Sequence, residues 1–223
     1  MAYAHVQTVA NNGPTATISS STAGNLLVLN MFWSGGAGDQ TPVVTAGFTA
    51  VDTKITDGGN YSSCSWYYQN NAGGITSVGA TSWPAGEPGE RRIRVSEYSG
   101  IATSSALITF VRQIQTSPGT GTDAVTSGGV SVGSQPALIW GVSDAPGIGT
   151  ALTQGTGFPS RGTDDGGRIE DKRITATGSN AATFTAGSDP GRVHTWMLAF
   201  AEPSSGNANL LVGKFGALLR GKI

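Results

Sequence analysis

Glycine clusters cut this chain into pieces of strand length. Gly35-Gly36-Ala37-Gly38, Asp57-Gly58-Gly59-Asn60, Ala72-Gly73-Gly74, Gly128-Gly129 and Asp164-Asp165-Gly166-Gly167 each fall between apolar runs. Such clusters permit positive φ and tight reversal of the backbone. Residues 25–33, 137–142 and 193–200 are apolar on both faces, the pattern of central strands buried between two layers. Residues 50–55, 61–68, 91–98, 107–114, 168–176 and 182–186 alternate with period two, which suits half-exposed strands. No amphipathic helix pattern precedes Pro203. The expected fold is all-β, an antiparallel β-sandwich of jelly-roll type in one domain over residues 1–202. A breaker run at 203–206 then acts as a hinge before a short C-terminal tail at 207–223.

Composition bounds the function. Charged residues make up only 12% of the 223, and 34 are glycine, so the surface must be built largely from Ser, Thr, Asn and Gly. With 38% apolar residues, the chain nonetheless has the burial that a disordered sequence lacks. The formal charge is −1, and Lys214, Arg220 and Lys222 lie in a tail without acids, so the body is more negative than the whole. Its arginines are scattered apart from Arg91, Arg92 and Arg94, which argues against nucleic acid as a partner. Cys64 is the single cysteine, so no intramolecular disulfide forms, and with only His5 and His194 a Cys/His zinc site lacks ligands. No metal and no cofactor are expected. No segment approaches the ~20 apolar residues that span a bilayer, and the N-terminus lacks a secretory leader, so synthesis in the cytoplasm is expected. The sequon Asn60-Tyr61-Ser62 is read as a chance match.

Four segments, in this order, carry a resemblance: Thr22-Ala23-Gly24-Asn25-Leu26-Leu27-Val28, Val95-Ser96-Glu97-Tyr98-Ser99-Gly100, Pro136-Ala137-Leu138-Ile139-Trp140-Gly141 and Trp196-Met197-Leu198-Ala199-Phe200. Over residues 1–202 the chain resembles the jelly-roll β-sandwich modules of structural proteins in tailed bacteriophages. Those modules serve as head-decoration, fibre or tail-associated subunits. The resemblance implies a non-enzymatic virion component, made in the host cytoplasm, that contacts other virion proteins and forms a homo-oligomer. It brings no family active site with it.

The tail is the one cationic stretch with helical apolar spacing. Leu211, Phe215, Leu218 and Leu219 fall at i, i+4, i+7 and i+8 beside Lys214, Arg220 and Lys222. Gly213, Gly216 and Gly221 weaken an isolated helix, so the segment is expected to gain order on a partner. These residues are the candidate docking stripe.

Other motifs are weighed against plainer readings. The alternative function is a carbohydrate- or host-surface-binding module, with Trp83 and Tyr61 as the candidate ligand-contacting rings. Glu87 and Glu90 sit in a Pro-Gly loop that offers nothing to raise an acid's pKa, which argues against glycoside cleavage. The acid-rich run 164–171 lacks EF-hand spacing and, with Arg161, Lys172 and Arg173 close by, reads as a solvated turn. His194 has no nucleophile elbow or defined third partner and reads as a structural strand histidine. Gly35-Gly36-Ala37-Gly38 lacks the Lys-Ser/Thr ending of a phosphate loop and reads as a turn. Cys64 reads as a small core residue. A buried Glu97 requires a donor, and Arg112 is the expected one.

Overall fold

A computed structural model describes residues 2–34, 40–58, 61–83, 89–116, 124–133, 136–146, 152–164, 166–187 and 191–203. Among these the apolar runs become strands and no helix forms. The first half contributes β1 (Ala4–Asn12), β2 (Thr15–Thr17), β3 (Leu26–Ser34), β4 (Val43–Val44), β5 (Thr49–Ala50), β6 (Ile55–Thr56), β7 (Tyr61–Tyr68), β8 (Ser77–Ser82) and β9 (Arg91–Ser99). The second half contributes β10 (Leu107–Thr116), β11 (Ala124–Thr126), β12 (Val130–Val132), β13 (Ala137–Asp144), β14 (Leu152–Gln154), β15 (Ser160–Asp164), β16 (Gly167–Ile174), β17 (Gly178–Asn180), β18 (Thr183–Ala186) and β19 (Arg192–Ala201).

The two halves share one topology. The first builds a large sheet in the order β1-β9-β3-β7-β5, with β6 also on β7, and a small sheet β2-β8-β4. The second builds β10-β19-β13-β16-β15 and β11-β18-β14, with β12 pairing β17 beside them. In each half the first strand pairs with the last, and the last with the central apolar strand. The second strand joins the facing sheet. All these pairings are antiparallel. This interleaving of outer and inner strands across two sheets is the jelly-roll arrangement. The antiparallel β-sandwich expected from the sequence is therefore present, and it occurs twice.

The large sheets pack on each other, which explains why the central strands are apolar on both faces. Leu27, Leu29, Met31 and Trp33 of β3 point at Ala16 and Val78 of the small sheet. Leu26 and Val28 point the other way, into a cluster with Tyr98, Leu138, Trp140, Val142, Trp196, Leu198 and Phe200. Ile139, Met197 and Ala199 then face Val125, Leu152 and Phe184 on the far side. Successive residues alternate between cores because side chains alternate across a strand. The result is four layers and three apolar interfaces. β1 lies against β15 at one side of the stack, while Arg112 of β10 meets Asp52, beyond β5, at the other. The two sheets thus stack with their strand orders running in opposite directions, as a local two-fold axis requires.

Several expectations change in detail. Residues 50–55 are not one strand: β5 and β6 are separated by a turn in which Asp52 accepts the Thr53 amide at 2.7 Å and pairs with Arg112 at 2.6 Å. β9 is buried along its length apart from its ends, because it lies between β1 and β3 in an inner layer and not on a solvated face. β1 carries mixed burial and no apolar run, so period alone does not reveal it. The edge strands β1 and β10 are bulged, β1 between His5 and Gln7 and β10 between Leu107 and Thr109. The skipped residues, Val6 and Ile108, are 46% and 37% exposed. Bulges of this kind break the regular ladder that an edge strand otherwise offers to another chain.

Candidate functional site

Polar residues that a sandwich interior normally excludes collect where the two large sheets meet. β9 places Arg94 in that seam with no exposed surface, and its guanidinium pairs with Asp144 of β13 and, at 2.5 Å, with Asp164 at the end of β15. Arg92 donates to the Ala145 carbonyl at 2.9 Å, pairs with Glu90 at 2.5 Å and lies 5.5 Å from the Phe32 ring centre. Gly166 and Gly167 make the room, because a Cβ at either would overlap an arginine head group. Burial pushes the Asp144 carboxyl up to about 6, against the opposing pull of Arg94. Further along, the Tyr98 hydroxyl donates to Asp171 at 2.9 Å, Arg161 reaches the same oxygen at 2.7 Å, and the Trp140 indole donates to Ser96 at 3.1 Å. Glu170, on the opposite face of β16, accepts the Gly155 and Thr183 amides, yet burial still raises it to about 7.

The other end of the seam holds a serine, a histidine and a carboxyl. Ser63 Oγ lies 3.1 Å from His194 Nδ1, and His194 Nε2 lies 3.7 Å from Asp57. These residue types make nucleophile triads where substrate can reach the hydroxyl. Here Ser63 and His194 have no exposed surface and Asp57 has 6%. The Trp196 indole donates to Ser63 Oγ at 2.9 Å, and the Phe32 ring packs edge-on to the imidazole at 5.3 Å. Arg192 donates to the Asp57 carbonyl and sits 3.4 Å from its carboxyl. Burial lowers His194 to about 4, so the imidazole is neutral at neutral pH. The cluster joins β7 to β19 and offers no approach for a substrate. Two open grooves lie elsewhere, one lined by Thr41, Asp52, Lys54 and Thr56, the other by Thr103, Ser104, Glu202 and Pro203.

The sequence candidates divide between core, seam and tail. Trp83 is 8% exposed and packs edge-on to Trp33 at 5.5 Å, so it is an interior ring and not the exposed loop aromatic expected of a glycan contact. Tyr61 is half-buried and stacks on Phe32 at 5.3 Å. Leu211, Lys214, Phe215, Leu218, Leu219 and Arg220 lie outside the described residues, as does Glu87. Glu90 is the partner of Arg92. The acid-rich run is no solvated turn, because Asp164, Glu170 and Asp171 are all drawn into buried hydrogen bonds or ion pairs. Among the described residues no three His, Cys, Asp or Glu side chains are grouped to hold a metal. Glu97 is buried as expected, but its donors are Gln7 at 2.5 Å, the Thr22 amide at 2.8 Å and Asn25 at 2.7 Å. Arg112, on the edge strand of the other half, is taken up by Asp52 instead.

Cys64 sits in the first core, where burial pushes its thiol up to about 12. A maleimide should therefore leave the native protein unlabelled at pH 7.5 and label one thiol per chain in urea. Rapid labelling without denaturant would contradict this burial.

Sequence reasoning missed the seam. Its traces are there to see: Arg92 and Arg94 alternating with Ile93 and Val95 in one strand, an aspartate closing the run 137–144, and a histidine inside the run 193–200. Each marks a buried polar group that demands a partner. No protein-family model, no curated protein and no solved structure matches the chain.

Proposed function

We propose that the protein is a non-enzymatic structural subunit of a phage-type particle, a doubled jelly-roll body attached to other virion proteins through its C-terminal tail. The observation that carries this reading is where the chemistry goes. The buried Arg94–Asp144–Asp164 and Ser63–His194 groups are engaged in joining two jelly rolls. The cationic apolar segment at 207–223 is the feature of the sequence that this reading assigns to a partner. In this reading Leu211, Phe215, Leu218 and Leu219 bury apolar surface on a shell, tail or fibre subunit, flanked by Lys214 and Arg220. At ~25 cal/mol per Å2, four such side chains contribute several kcal/mol before the cost of ordering the segment. Symmetric copies of a homo-oligomer multiply that attachment by avidity. The glycan-binding alternative loses its main anchor with the burial of Trp83.

Deleting residues 207–223 tests the proposal. In this reading the tail packs on a partner and not on its own body, so the truncated protein should melt within about 2 °C of the full chain. It should also fail to co-sediment with assembled particles that the full chain binds. Undiminished co-sedimentation would remove the tail from the mechanism, and a collapsed melt would make it part of the fold.

A further inference from the structure

We infer that the two inner faces recognise each other and reject their own kind, so that a first half accepts only a second-half face, from its own chain or from a second copy. The bulges set the correspondence between halves: that of β1 lies opposite Tyr98 and Glu97, that of β10 opposite Phe200 and Ala199. Tyr98 then occupies the place of Phe200. Counting along the registers from there, Arg94 corresponds to Trp196, Arg92 to His194, Phe32 to Asp144, and Ser63 to Gly167.

The pairs that cross the seam correspond as well. Trp196 meets Ser63 at one end, and Arg94 fills the space over Gly167 at the other. The local two-fold relates these contacts in position, but the chemistry differs. One end is an indole on a hydroxyl, and the other is a guanidinium over a bare backbone beside two carboxylates.

Self-pairing fails in both directions for that reason. Two first-half faces would put Arg94 over Ser63, whose Cβ takes the space that Gly167 leaves open. They would also put Phe32 where Asp144 supplies charge, leaving two guanidiniums buried without acids. Two second-half faces would put Trp196 over Gly167, so the indole N–H would lose its acceptor. Asp144 and Asp164 of each face would meet Trp196 in place of Arg94, leaving four carboxylates buried without that cation. Charges removed from water without partners are the most costly mismatch an interface can contain, so this complementarity selects the partner as well as stabilising it.

Cutting the connection in the folded full chain tests the inference. Thr103, Ser104 and Ser105 are exposed, whereas Ala106 is buried, and Ala102 and Ala106 are both backbone-bonded to Ala201. A protease site inserted between Thr103 and Ser104 can therefore be cleaved without touching the seam. Cleaved protein should remain a 1:1 pair in native mass spectrometry. Mixed with isotope-labelled cleaved protein in mild urea and then returned to buffer, it should give all four combinations of light and heavy halves, each with one first and one second half. Gly167→Ser, which gives the second half the residue of the first, should weaken the cleaved pair at least tenfold. Dissociation of the unmutated cleaved protein, or pairs of two first or two second halves, would overturn the inference. Undiminished pairing with Gly167→Ser would also overturn it.

Discussion

Replacing Arg94 with alanine is expected to lower the unfolding free energy by about 3–5 kcal/mol, the usual range for breaking a buried ion pair from one side. The loss arises mainly from what remains behind. Asp144 and Asp164 stay in the seam, with side chains 1% and 5% exposed, and lose the guanidinium that bonds them both. Lysine at this position should not rescue, because a single ammonium cannot bond two carboxylates across a fork. The control is Arg112→Ala. Its pair with Asp52 is 26% and 32% exposed and its guanidinium lies 5.4 Å from the Trp196 ring, so the expected loss is only about 1 kcal/mol. Urea unfolding of the three variants decides the matter. A loss below about 1 kcal/mol for Arg94→Ala would mean that the seam does not join the halves in the manner described.

Two buried groups should leave opposite signatures in the pH dependence of stability. Glu170 is raised from 4.5 to about 7 by burial, so the folded state favours its protonated form. Its contribution is complete below pH 4.5 and is lost as pH rises through 7. His194 is lowered from 6.5 to about 4 by burial, so the folded state favours the neutral ring. Its contribution is complete above pH 6.5 and is lost as pH falls toward 4. At 1.36 kcal/mol per pKa unit, each shift corresponds to about 3 kcal/mol across its window. Measured against the unmutated protein, Glu170→Gln should become relatively more stable as pH rises from 4.5 to 7. His194→Gln should become relatively more stable as pH falls from 6.5 to 4. Unfolding free energies at half-unit pH intervals separate the two. A flat difference for either variant would show that the residue is not held in its buried environment.

Much of the fold was legible because the relevant signals are local. The runs 25–33, 137–142 and 193–200 declared themselves as central strands, and β3, β13 and β19 do lie inside their sheets. β7, β9, β10, β16 and β18 fall close to the alternating segments. The short strands β2, β4, β11, β12, β14 and β17, of two or three residues, have too little sequence to show a period. β9 and β16 were legible as strands but not as inner strands. What covers a face is supplied by the other half of the chain.

The seam was illegible for the same reason. Arg94 and Asp144 are 50 positions apart, and Ser63 and His194 are 131. Burial of Glu97 calls for a donor, but whether Arg112 or Gln7, Thr22 and Asn25 supply it depends on distances that no sequence spacing contains. Trp83 shows the converse: an aromatic beside a Pro-Gly loop looks exposed until Trp33 is found against it.

The sequence alone determined that this chain would be strands and turns, because backbone reversal at glycine and the two-residue period of a strand act within a few neighbours. It also determined that stability would come from packing, since one cysteine and two histidines exclude a disulfide and leave a zinc site short of ligands. Only the tertiary structure decided that the sandwich is made twice and joined face to face. That outcome depends on strand pairing, register and burial between residues far apart in the chain, where the cost of an unpaired charge is set by whichever surface closes over it.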